Sequence, residues 1–254
     1  MNKKCIWCLK EEPEVTFLTK AHTIPKSLGG QNVNPNVCDS CNEYFGSRLY
    51  KFYSIEGALK ETFNVTRFRL LQTKKPKRKV GEFKSIFFIL KIKNNQFNLI
   101  IKDTFRFDYV SQNQMCRAFK RGLYKMYFEE LNRQENIGYE NTYDLIRGFS
   151  RYDLEDLPVY YFHRSIGAMI MLETELETPI LNFKRMNYLY SNEYFVEIEF
   201  LGHVFGFPIN RYDTKDLENY IQNSIQLKKK FFKSYKEIKR LTDIDLLFTI
   251  LDDK

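Results

Sequence analysis

Four of the five cysteines of this chain fall in two pairs, Cys5-x2-Cys8 and Cys38-x2-Cys41, with 29 residues between the pairs. Two intervening residues let the chain double back until both thiolates of a pair reach one metal ion, and two such pairs complete a closed tetrahedral zinc site. A closed site has no open coordination position, so this metal is structural. It fixes a segment of roughly 45 residues, near the size at which a small module needs a staple in order to fold. Free cysteine is a common core residue, but that reading does not account for paired spacing. It suits Cys116, which stands alone in a helical pattern.

The rest of the composition narrows the class. A chain of 254 residues makes one or two domains, and 43% apolar residues with 23 Phe and 17 Tyr supply a core and exclude general disorder. The most apolar run, residues 85–90, meets Lys91 far short of the roughly 20 residues of a membrane span. The opening Met-Asn-Lys-Lys-Cys-Ile-Trp-Cys has no apolar stretch of secretory length, so the expected location is cytoplasmic, with no membrane partner. A formal charge of +8 and a pI near 9.1 suit a polyanionic partner.

Between the cysteine pairs lie His22, Ile24, Pro25 and the pair Gly29-Gly30, and the second pair continues as Cys38-Asp39-Ser40-Cys41-Asn42. Val15, Phe17 and Leu18 predict a short strand, Pro25 interrupts pairing, and the glycines mark a turn. Asp39 or Ser40 can cap a helix running from Cys41 to about Tyr53.

In this ordered combination, which covers about the first 50 residues, the chain resembles the HNH endonuclease family. In that family's ββα-metal fold, a His on a β-hairpin faces an Asn or His on the following helix. The resemblance implies that His22 is a general base, that Asn42 is a ligand of a catalytic Mg²⁺ or Mn²⁺, and that Cys5, Cys8, Cys38 and Cys41 hold structural zinc. It makes Asn36, ahead of Asn34, the match for the central Asn that braces the loop carrying the His. It implies DNA as substrate, with RNA as the alternative. The chain departs from the family at Ala21, where many members carry an acidic metal ligand. One neutral Asn is a poor site for a hard cation, so further ligands would come from Asp39, Glu43, a DNA phosphate or His22 itself.

The residue types suit phosphodiester hydrolysis. A neutral imidazole, with an ordinary pKa of about 6.5, takes a proton from water near pH 7, and a divalent cation offsets the negative charge that builds on the phosphate. Lys20, Lys26, Arg48 and Lys51 flank these residues and can hold phosphates, although a solvated charge is the ordinary role of each. His163 and His203 lack any such setting and read as structural. Small bacterial HNH proteins act in restriction or anti-phage defence, a context carried over by analogy alone. A reading from another class is a catalytically silent zinc module that binds nucleic acid or protein, and Ala21 favours it.

The fold class expected is α+β: a small zinc-stapled ββα-metal module at residues 1–55, a basic connector at 56–82 containing the run Lys74-Lys75-Pro76-Lys77-Arg78-Lys79, and an α+β domain at 83–254 with antiparallel strands and amphipathic helices. Alternation predicts a hairpin over 85–103, and strands at 159–162, 168–172, 194–200 and 204–209. In the 194–200 strand, Glu197 and Glu199 occupy the polar positions. Helical spacing predicts helices at 113–133, 142–149 and 216–240. On the first of these, Arg117, Lys120, Arg121 and Lys125 form a basic face, solvated by default or a stripe for DNA. The aromatic residues read chiefly as core, with stacking on bases or a protein interface as the alternatives. The larger domain would bind substrate, a partner protein or a second copy of the chain, and would restrain or target the module, so residues 1–55 alone would be no less active than the whole.

Overall fold

The computed structural model of the chain describes residues 2–48, 53–63, 82–93, 96–104, 108–164, 181–182, 191–201, 203–228, 232–240 and 243. Lys51, the basic run at 74–79 and the strand expected at 168–172 lie outside the described residues.

A helix of 27 residues, Tyr109–Glu135 (α3), organises the molecule. It begins where the Asp108 carboxylate accepts from the backbone N–H of Ser111 at 2.9 Å, a side-chain cap for an otherwise unpaired donor. It ends at Asn136 in the left-handed region (φ 57°). Its first turn precedes the expected start because Tyr109 and Val110 are exposed and add nothing to the apolar period. From Met115 onward buried residues occur on every face, so α3 is a central helix.

The expected basic face is therefore corrected: Lys120, Arg121 and Lys125 are buried. Lys120 pairs with Asp156 at 2.6 Å, Arg121 donates to the Ser150 carbonyl at 3.0 Å and to the Tyr44 hydroxyl, and Arg117 reaches Asp153 at 2.7 Å. Their partners come from segments far away in sequence, which helical periodicity cannot reveal. A buried cation has to be paired, and these are.

Around α3 stand three layers. The N-terminal segment contributes the two-stranded pair β1 (Ala21–His22) and β2 (Val33–Asn34), then α1 (Asp39–Gly46) and α2 (Ile55–Thr62). The helix expected from Cys41 to about Tyr53 ends early, at Gly46, and α2 lies beyond that span, started by Ser54, whose hydroxyl accepts from Gly57 N at 3.0 Å. α2 crosses α3 at Gly122, where an added Cβ would fall 2.5 Å from Leu59 Cγ. An antiparallel meander follows, β3 (Glu82–Lys84), β4 (Phe88–Lys93) and β5 (Gln96–Ile101), matching the expected hairpin with a third strand added.

The segment after α3 turns through a short helix, α4 (Asp144–Ile146), that runs into a π-helical turn, Arg147–Arg151. The last layer is an antiparallel sheet in the order β10-β6-β9-β8-β7, made of β6 (Tyr160–Arg164), β7 (Leu181–Asn182), β8 (Phe195–Phe200), β9 (His203–Pro208) and β10 (Phe232–Glu237). The helix expected over 216–240 is α5, Thr214–Lys228, followed by β10.

β8 and β9 are buried along their whole length because α3 covers one face and α5 the other. Val196, Ile198 and Phe200 join the main core, whereas Phe195 stacks on Tyr220 of α5 with ring centroids 4.4 Å apart. Glu197, at a position that alternation leaves polar, lies under α5 and accepts from Tyr220 Oη at 3.0 Å and Ser224 Oγ at 2.8 Å. His203 is buried and 3.0 Å from Tyr161 Oη, a structural placement. One continuous buried cluster runs from Cys5, Trp7 and Phe45 through Leu59 and Phe119 to Phe207 and Ile238. Among the described residues no helix is long and apolar enough to cross a membrane.

Candidate metal centre and histidine hairpin

The first cysteine pair sits on a tight knuckle. Leu9 N donates to Cys5 O and Cys5 N to Lys10 O, both at 2.9 Å, with Leu9 in the left-handed region (φ 58°). The two residues between the cysteines, Ile6 and Trp7, are fully buried, so the knuckle is anchored by what it encloses. The second pair uses a helix start: Cys38 is the N-cap of α1 and Cys41 lies in its first turn. The backbone N–H of Cys38 points at Cys5 Sγ, 3.4 Å away.

All four sulfurs lie within 4.8 Å of one another, and Cys8 and Cys38 are 3.7 Å apart. Zinc–sulfur bonds of about 2.3 Å in a tetrahedron put ligand sulfurs a little under 4 Å apart, so the donor set and its spacing fit zinc. As free thiols Cys5 and Cys8 hold their protons. A hydrogen bond with Cys41 and burial push the Cys5 thiol well up, and burial raises Cys8 to about 11. A bound dication reverses that preference and deprotonates them. Arg151 Nε, 3.4 Å from Cys41 Sγ, adds a positive partner from outside the cysteine segment.

The strand expected at Val15–Leu18 is instead a loop, and the pairing falls on Ala21↔Asn34 and His22↔Val33. The cause is Asp39. Its carboxylate accepts from the backbone N–H groups of Leu18 (3.1 Å) and Thr19 (2.7 Å) and from the hydroxyls of Thr16 and Thr19, which leaves those amides none to give a neighbouring strand. The Thr16 and Thr19 hydroxyls hold the Asp39 carboxyl far below the ordinary carboxylate range.

Successive strand residues face opposite ways. Ala21 is fully buried, and His22 on the other face is half-buried. The loop closing the hairpin is drawn in tightly: Gly29 has φ 97°, and a Cβ on Gly30 would lie 1.9 Å from Ile24 O.

His22 Nδ1 is buried without a hydrogen-bond partner among the described residues. Its pKa is lowered by burial first, then by Lys26, Lys125 and Lys20, with Glu56 opposing, so the imidazole is neutral at pH 7. Asn42, on α1, donates from Nδ2 to Thr19 Oγ1 at 3.0 Å, three residues before His22. That bond commits the amide nitrogen and leaves Oδ1 as the atom able to take a cation.

Asn34, buried on β2, accepts from Asn36 N (2.9 Å) and Asn132 Nδ2 (3.2 Å), and donates to Glu129 O (2.8 Å). Asn36 takes a longer bond from Asn132, 3.3 Å, while its carbonyl receives Ile6 N at 2.9 Å. Both asparagines thus brace the hairpin, and Asn34 is the more deeply engaged. Lys20, Lys26 and Arg48 are exposed.

What the sequence reading missed is the support from elsewhere in the chain. Trp7 Nε1 donates to Glu129 at 3.0 Å, Lys125 to His22 O at 2.6 Å, and Arg147 Nε to Ile6 O at 2.7 Å. The signal available was Lys125, Glu129 and Asn132, a polar stripe at helical spacing inside an otherwise apolar pattern.

Residues 5–54 match the family model described as HNH endonuclease, a span that takes in both cysteine pairs, His22, Asn34, Asn36 and Asn42. Searches of the curated proteins and of the solved structures gave no match. Over residues 5–54 this chain is similar to the HNH endonuclease family.

Proposed function

We propose that the chain is a metal-dependent endonuclease that hydrolyses DNA phosphodiester bonds, with residues 5–54 acting as a ββα-metal module. The observation that carries this reading is the family match over a segment whose one histidine, His22, sits on a hairpin between the zinc pairs with an uncommitted ring nitrogen. His22, held neutral by burial and by the lysines around it, takes the proton of the attacking water. Asn42 offers Oδ1 toward a Mg²⁺ or Mn²⁺ ion because Thr19 holds its nitrogen. When bound, that ion polarises the scissile phosphate and stabilises the leaving oxygen.

Ala21 supplies no ligand, since its side chain is a methyl group without a donor atom, and it is buried in the core. Asp39 is committed to Thr16, Leu18 and Thr19. The exposed Glu43 and the substrate phosphate are the remaining oxygen donors for a hard cation. Lys20, Lys26 and Arg48 hold the backbone of the substrate. Zinc at Cys5, Cys8, Cys38 and Cys41 shapes the module and does no chemistry. A role in restriction or anti-phage defence rests on analogy.

The test is plasmid nicking in Mg²⁺ or Mn²⁺ by the wild type and by His22→Ala, with zinc content and circular dichroism measured on both and RNA as a parallel substrate. Cleavage by the wild type alone is expected. The buried Ala21 favours a second reading, a silent zinc module that binds nucleic acid, and tight DNA binding without cleavage in any metal would select it.

A further inference from the structure

The nuclease reading leaves unexplained a fully buried lysine directly behind the histidine. Lys125, midway along α3, has no exposed surface. Its ammonium meets three oxygens: His22 O at 2.6 Å, Glu56 Oε1 at 2.9 Å and Glu129 Oε2 at 3.1 Å. The contact with His22 O is a hydrogen bond and those with Glu56 and Glu129 are ion pairs, and the three oxygens come from three elements, β1, α2 and α3.

We propose that Lys125 is a positioning residue for His22, gripping the backbone carbonyl of that residue and so setting where the imidazole stands relative to the rest of the site. The proposal rests on the reading of His22 as the base.

Three observations carry it. First, the imidazole has no side-chain partner at Nδ1, so its place is fixed from the backbone, and Lys125 is the side chain that holds that carbonyl. Second, the grip is directional. An apolar side chain of similar volume often stabilises a core as well as a buried ion pair does, but it cannot fix the position of a carbonyl. Third, the same face of α3 holds the other strand: Glu129 O accepts from Asn34 Nδ2 at 2.8 Å, and Asn132 Nδ2 reaches Asn34 Oδ1 at 3.2 Å. The hairpin is therefore fastened at His22 and at Asn34, one register step apart. Glu129 in turn receives Trp7 Nε1, which ties the same network to the first zinc knuckle. The charge of Lys125 also acts with those of Lys20 and Lys26, and against Glu56, to keep the nearby imidazole unprotonated.

The test exploits the presence of only three histidines in the chain. Ring-labelled histidine in the full-length, zinc-loaded protein gives three sets of NMR signals, and the His22 set is the one lost in His22→Ala. Lys125→Met is compared with Lys120→Met, which removes a buried ammonium from the same helix, one paired with Asp156 and remote from the hairpin. Lys125→Met should shift the His22 signals while leaving His163 and His203 in place, and should lower kcat on the order of tenfold to a hundredfold, the scale of a small misplacement of a reacting group, with KM little changed. Lys120→Met should leave the His22 signals and kcat as they are. A folded, zinc-replete Lys125→Met with unmoved His22 signals and unchanged kcat would overturn the proposal. Should that variant fail to fold, Lys125→Met with Glu129→Met removes both buried charges, and the same two readouts decide. Should the wild type cleave nothing, the nuclease reading falls, whereas the His22 signals in Lys125→Met still decide whether the lysine places that residue.

Discussion

A buried titratable group reports its surroundings through pH, and two residues here do so in opposite senses. Burial and three lysines lower the His22 pKa. A base of that kind gains activity as pH rises through its folded value, so the acid limb of the cleavage rate should have its midpoint below about 6.5. Lys26→Ala removes one of the cations and should move that midpoint upward. Glu129 behaves oppositely: burial raises its carboxyl to about 7, against the pull of Lys125 and Trp7. Between its ordinary value and about 7 the folded protein binds more protons than the unfolded chain, so this group makes stability fall as pH rises through that window and level off above it. Denaturant titrations of the wild type and Glu129→Gln from pH 5.5 to 8 should show the wild type losing ground to the variant as pH rises, by an amount on the order of 1–3 kcal/mol. Thr19→Val, which takes the hydroxyl from Asn42, should lower cleavage about tenfold with zinc content unchanged. The cysteine cluster was legible in the sequence because thiols in two such pairs are committed by their spacing, whereas the roles proposed for His22 and Asn42 come from the resemblance. Lys125 was not legible, because a lysine at helical spacing reads as solvated until the carbonyl it meets is known.

Among elements, legibility followed the number of neighbours. The β4–β5 hairpin, whose strand β5 exposes Leu99, Ile100 and Ile101, announced itself by alternation, since its pairing is local. Helix α3 follows from its apolar period, but its polar face does not, because the elements that bury Arg121 and Lys125 are brought in by tertiary packing. The strand expected at Val15–Leu18 is absent for a reason visible only in three dimensions: one carboxylate, Asp39, captures the amide of Leu18 and that of the next residue, Thr19. The helix expected at 41–53 stops at Gly46, and the next one has its own local start in Ser54, a cap whose Gly57 partner lies three residues on. Where elements cross, the fit is tight. Gly122→Ala would set a methyl 2.5 Å from Leu59 Cγ, forcing α2 away from α3. It should destabilise the protein by about 1–3 kcal/mol, readable as a lower midpoint in urea.

Among the described residues, the zinc segment and the elements that follow it meet at α3. The zinc segment and the larger part share a buried cluster, and the hairpin gives its backbone to Lys125 and its side chains to Glu129 and Asn132. Residues 1–55 on their own would expose Ile6, Trp7 and Phe45, which are fully covered in the complete chain. We therefore expect that fragment, even with zinc, to give a poorly dispersed NMR spectrum, although composition and spacing suggested a free-standing module. Removing zinc from the full chain with a chelator should loosen the knuckle and the α1 start together, and readdition should restore both, as metal binding and folding are coupled in such sites. The junction carries its own reporter. Trp7 is the chain's single tryptophan, packed between Phe45 and Phe128 with ring centroids 4.8 and 4.9 Å away. Intrinsic fluorescence therefore watches one spot, where the metal knuckle leans on the central helix, and a red-shifted emission would record their parting before any other optical signal changes.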